Sequence, residues 1–121
     1  MSTRFDFRLT RAHEKCFVEV KSVTLVGADG WSAFPDAVTE RGVKHIRELL
    51  AAREAGDRAA LLFVVQRSDG LAGFRAAREI DPLYAESLRD AHARGLEIFA
   101  HAAEVGPLGI SLLPLRLDFL P

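Results

Sequence analysis

The stretch from Arg58 to Gln66, RAALLFVVQ, constrains the fold more than any other part of the chain. It is short and continuously apolar between its ends, the pattern of a strand covered on both faces. A segment with helical periodicity precedes it, from Pro35 to about Ala55. There Val38, Gly42, Ile46, Leu49, Leu50 and Arg53 fall on one side of a helical wheel. Pro35 suits a first helical turn and Gly56 a C-terminal stop. Gly42 on the buried side predicts a close approach of this helix to a sheet. A helix that feeds a doubly covered strand favours a parallel crossover. The chain therefore reads as α/β, with a mixed central sheet flanked by helices.

The other elements fit around this unit. RFDFRL alternates Phe5, Phe7 and Leu9 against Asp6 and Arg8, a strand with one apolar face. TRAHEK reads as a hairpin connection, and a second strand runs from Cys16 to about Val26. Asp29-Gly30 suits a tight turn into a short third strand, Trp31 to Phe34. RSDGLAGFRAAREI reads as an irregular loop. A second helix follows, with Asp81 as N-cap, Pro82 at its first position and Gly95 as stop. Two late strands are predicted around the turn at Gly106-Pro107.

With 121 residues there is room for one domain with a core and not for two ordinary ones. A formal charge of −1 gives no net pull toward nucleic acid or membrane, so any polyanion must be met by a local patch. The single cysteine, Cys16, excludes an intrachain disulfide and fits a reducing interior as a small core residue. Met1 to Arg11 is polar and mixed in charge, unlike a signal peptide, and no apolar run suits a membrane helix. The expected location is the cytoplasm.

Within CFVEVKSVTLV, residues 16 to 26, Glu19 and Lys21 interrupt an apolar strand on one face. Burying either charge unpaired costs several kcal/mol, so a partner or a function must compensate. A hairpin turn centred between Ala12 and His13 pairs residues whose numbers sum to 25. Leu9 then faces Cys16, and Asp6 faces Glu19. Two acids and one base converge, as they do where oxygen ligands hold a hard divalent cation. Asp6 and Glu19 would bind Mg²⁺ or Mn²⁺, with the Val20 carbonyl as third protein ligand. Lys21 would orient a water and stabilise a charged transition state, an arrangement suited to phosphodiester hydrolysis. The plainer alternative is an ion pair on a solvated sheet face.

SVTLV, AFPDAVTERGVKHIREL, RAALLFVVQR and IDPLYAESLRDA resemble, in order, the C-terminal half of the sugar fermentation stimulation protein (SfsA) family. The resemblance implies a restriction-endonuclease-like fold of the PD-(D/E)xK class. In it Asp6 matches the first acid and Glu19-Val20-Lys21 the E-x-K, making Asp6, Glu19 and Lys21 the catalytic set. It further implies DNA as partner and a link to the regulation of sugar, especially maltose, metabolism. Family members carry an N-terminal OB-like domain, then a helix and a strand, ahead of the RFDF stretch. Met1 lies three residues before Arg4, so the chain is expected to be an N-terminally truncated, single nuclease-like domain over residues 1–121. Its uncovered sheet edge would then pair with a second copy.

Arg41, Lys44 and His45 lie along one flank of the first helix, either a phosphate-contacting patch or a solvated flank neutralised by Glu40 and Glu48. Gln66, at the end of a buried strand, either borders the site or caps the strand. His13, His92 and His101 lack metal-ligand spacing and read as surface residues. Tyr84 and the phenylalanines read as core. Two functions stand: a Mg²⁺-dependent nuclease, or a DNA-binding regulatory module that keeps the acids without turnover.

Overall fold

The computed structural model describes residues 7–11 and 14–121. Its first sheet has the order β1-β2-β5-β7-β8, from β1 (Phe7–Arg11), β2 (Glu14–Val23), β5 (Arg58–Val65), β7 (Glu97–Gly106) and β8 (Gly109–Leu117). The three inner strands run parallel, and β1 and β8 are antiparallel to their neighbours. A second sheet has the order β3-β4-β6-β9, from β3 (Leu25–Val26), β4 (Trp31–Phe34), β6 (Gly73–Ala76) and β9 (Phe119–Leu120). Between β4 and β5 lies α1 (Glu40–Glu54), and between β6 and β7 lies α2 (Pro82–Ala93). The predicted α/β class with a mixed sheet is what the chain adopts.

β5 is central, and seven of its eight residues tell why: all but Arg58 are buried or nearly so. Alternate residues Ala59, Leu61, Phe63 and Val65 join Ile46, Leu49 and Leu50 of α1 and Tyr84, Leu88 and Ala91 of α2 in one apolar cluster. Phe63 stacks on Phe74 of β6 at 4.3 Å between ring centroids, which ties the second sheet to the first. Among the described residues no helix is long and apolar enough to cross a membrane.

Four sequence expectations are corrected. The first helix begins at Glu40 and not at Pro35, because Thr39 is its N-cap and accepts a hydrogen bond from the Gly42 N–H at 3.0 Å. Val38 consequently precedes the helix and is 71% exposed. Gly42 approaches α2 and not a sheet: a Cβ there would sit 2.9 Å from the Tyr84 ring and 2.8 Å from the Thr39 methyl. The stretch read as an irregular loop contains β6, whose four residues are too few and too glycine-flanked for periodicity to reveal. The apolar run of the second strand divides at Thr24, so that Leu25 and Val26 pair with β4 in the other sheet.

The two chain stops at Gly56 and Gly95 are as expected. Both glycines take positive φ, +98° and +94°, just past the helix ends. Asp81 caps α2 through Oδ1, which accepts from the Tyr84 N–H at 3.0 Å. Its Oδ2 also accepts from the Thr39 N–H at 2.9 Å, so one buried carboxylate fixes the start of both helices.

Candidate functional site

The site forms where β2 passes under the N-terminal half of α1. β2 lies at register with β5, Glu19 against Leu61 and Lys21 against Phe63. Strand alternation turns Glu19 and Lys21 to the same face as the apolar cluster, toward the helices. Glu19 is 6% exposed and Lys21 half-buried, so neither charge is freely solvated.

A partner for both comes from the helix. His45 is buried at 8% exposure, and its Nδ1 lies 2.7 Å from Lys21 Nζ and 3.2 Å from Glu19 Oε1. Lys21 Nζ is 3.7 Å from the same Glu19 oxygen. Burial holds the His45 imidazolium below its ordinary range, and the Lys21 ammonium pushes the same way; the Glu19 carboxylate opposes both. Arg41 Nε stands 3.4 Å from the other ring nitrogen, Nε2.

The hairpin register expected from the sequence holds over the described residues, with Leu9 against Cys16 and Phe7 against Val18. Asp6 and the turn at residues 12 and 13, with His13, lie outside them. Val20 sits between Glu19 and Lys21, its side chain on the other face of the strand. Arg41 and Lys44 are exposed along α1, and Lys44 is 3.8 Å from Glu48. His45 is not on that exposed flank, because it belongs to the buried side of the helix. Gln66 is exposed and donates to Ser22 Oγ at 3.3 Å; Ser22 projects from the face opposite Lys21. Cys16 is half-buried and not core. With Leu9, Val18, Leu62 and Phe99 it lines a cavity of about 410 Å³ on the second face of the first sheet, and burial pushes its thiol up. Tyr84 is fully buried, as expected of a core residue.

Sequence reasoning missed the contact of His45 with Lys21. The signal was present: His45 lies three residues after Gly42 and four before Leu49, on the buried stripe. Among the described residues no group of three or more His, Cys, Asp or Glu gathers to hold a metal ion. Glu19 is the one carboxylate of the predicted set that they include.

The model of the sugar fermentation stimulation protein RE domain matches residues 1–109. The chain belongs to the sugar fermentation stimulation protein family. A family homolog from Shewanella piezotolerans is 50% identical over 120 residues, spanning 96% of this chain and 50% of its own. Another, from Ectopseudomonas mendocina, is 52% identical over 120 residues, spanning 98% and 50%. The chain thus spans about half the length of the curated relatives it matches. The solved structure of Pyrococcus furiosus SfsA in complex with Ca²⁺ superposes with a TM-score of 0.86 at 28% identity, over 100% of this chain and 52% of that one.

Proposed function

We propose that residues 1–121 form a nuclease-like unit of the PD-(D/E)xK, restriction-endonuclease-like class, which binds DNA and hydrolyses phosphodiester bonds with a divalent metal. The observation that carries this reading is the pairing of buried Glu19 with half-buried Lys21, two residues apart on one strand, on the face that packs into the apolar cluster. Extending the observed β1–β2 pairing by one residue would set Asp6 opposite Glu19. Asp6, Glu19 and the Val20 carbonyl would then hold Mg²⁺ or Mn²⁺ with hard oxygen donors. The Ca²⁺ in the Pyrococcus furiosus protein is a cation of that same kind. Such an ion, when bound, supplies a water of lowered pKa and polarises the phosphate.

The chain's own residues supply the rest. Lys21 places an ammonium where negative charge develops on the phosphate. Arg41 and Lys44, exposed on the adjoining flank of α1, position the DNA through its phosphates and read no sequence. With a net charge of −1 over the chain, this patch gives weak binding that falls steeply with salt. This chemistry would serve the control of sugar metabolism, a reading that the family's printed name supports.

The test is cleavage of single- and double-stranded DNA by the 121-residue chain with Mg²⁺ or Mn²⁺, comparing wild type with Lys21→Ala. Metal-dependent cleavage lost in the variant is the expected result. Salt-sensitive binding without cleavage would replace the nuclease with a DNA-binding module that keeps the acids.

A further inference from the structure

Resting on the reading that this chain binds DNA, we propose that the phosphate backbone leaves the reaction centre obliquely over α1 toward α2. Arg47, three residues beyond Lys44, is its outermost contact and outweighs Lys44 in binding.

Burial along α1 draws the path. Between Glu40 and Ala51 the exposed residues of the helix are Glu40, Arg41, Lys44, Arg47 and Ala51, three cations against one acid. Arg41 stands at the reaction-centre end, 3.4 Å from the buried His45. Each following cation comes three residues on, about 4.5 Å along the axis and roughly 60° round it. The three therefore wind as one oblique row. At its far end Arg47 overhangs the groove between the helices, a cavity of about 130 Å³ that it shares with Ser87 and Asp90 of α2. Beyond it Arg94 is taken by Asp90 and Glu54, so the acids end the row there.

The cations differ in what already holds them. Lys44 Nζ lies 3.8 Å from Glu48 Oε1, and a phosphate must draw it away from that carboxylate. Glu48 Oε2 is buried and meets no hydrogen-bond donor among the described residues. Arg47 makes no hydrogen bond or ion pair with a described residue. Its guanidinium offers a phosphate a planar fork of five donors and has no partner there to give up. Arg89 of α2 is its match elsewhere on the surface, exposed and likewise without a hydrogen bond or ion pair to a described residue. Arg89 lines a separate cavity with Phe119 and Leu120 of β9 and lies off the path.

Fluorescence anisotropy of a dye-labelled DNA duplex on the metal-free 121-residue chain, over a series of salt concentrations, reads how many phosphates are met. Arg47→Gln keeps much of the stem over the groove, and Arg89→Gln makes the same change in net charge away from it. Arg47→Gln should lower the slope of log K against log salt by about 0.9 and weaken all sequences alike. Lys44→Gln should lose less affinity, and Arg89→Gln should keep the wild-type slope. Glu48→Gln, which frees Lys44, should tighten binding by about 2- to 5-fold, the size of one exposed ion pair. Equal losses in Arg47→Gln and Arg89→Gln would mean net charge alone and overturn the path, as would a wild-type slope in Arg47→Gln. A larger loss in Lys44→Gln, or no gain in Glu48→Gln, overturns the ranking of the two cations. A wild type that ignores the duplex at low salt fails one step earlier, at the DNA reading itself, and takes the path with it.

Discussion

Two neighbouring stretches of the same sheet face lie under the same helix and are built in opposite ways. On β5, Leu61 and Phe63 are fully buried and join α1 in the apolar cluster. One strand away, at the same register, β2 presents Glu19 and Lys21, and α1 answers them with His45. The apolar solution is thus available within 5 Å, the ordinary spacing of strands. Replacing buried ionic groups by packed apolar ones is often neutral or stabilising. The contrast predicts that the polar pocket is not what holds the sheet and helix together.

The first prediction breaks the apolar half. Phe63 touches Phe74 and Phe34, with centroids 4.3 and 5.5 Å away. Phe63→Ala should cost roughly 3–5 kcal/mol through lost burial and a cavity. Urea unfolding measures the loss, and the His45 ring signals in NMR spectra should persist wherever the variant remains folded.

The second strikes a residue that serves both halves. Asp81 caps α2 and anchors Thr39, the cap of the helix that carries His45. Asp81→Ala removes a cap and leaves a buried N–H unpaired, for about 2–4 kcal/mol in the same measurement. It should also disturb the His45–Lys21 contact, which Phe63→Ala should spare.

The smallest effect belongs to pH and to the polar half alone. His45 faces Lys21 and Arg41, which press its pKa down, and Glu19 and Glu48, which raise it; burial dominates and the folded value lies below the ordinary 6.5. The unfolded chain therefore binds the proton first as pH falls. Stability from this group is present above about pH 6.5 and declines as pH drops below it. Urea midpoints at pH 7.5 and 5.5 should differ more for wild type than for His45→Asn. Equal slopes would remove His45 as the cause.

How much of this was legible in the sequence follows from the range of the interactions. The doubly covered β5, the hairpin register and the cap at Asp81 were readable because periodicity and turn chemistry are local. Glu19 and Lys21 stood out because charges interrupt an apolar strand. The start of α1 was misread because Pro35 carries a helix-start signal that the Thr39 cap overrides. β6 was hidden because a four-residue strand has too little pattern of its own and is made by pairing with β4 and β9. The His45–Lys21 contact spans 24 residues and two elements, and the second bond of Asp81 spans 42. No local pattern encodes such distances. His45 was placed with its charged sequence neighbours, Lys44 and Arg41, when its helical position belonged with Gly42 and Leu49.

The claim that the polar pocket is kept for binding and not for stability is tested most directly by one set of thermal melts. Wild type is compared with the triple variant Glu19→Leu, Lys21→Met, His45→Leu, each without metal and with millimolar Mg²⁺ or Mn²⁺. The metal-free variant should melt at the same temperature as wild type or higher. Wild type alone should gain stability with metal, by about 2.7 kcal/mol at a hundredfold excess over Kd. A variant that loses several kcal/mol without metal, beside a wild type that does not respond to it, would show that these charges serve the fold.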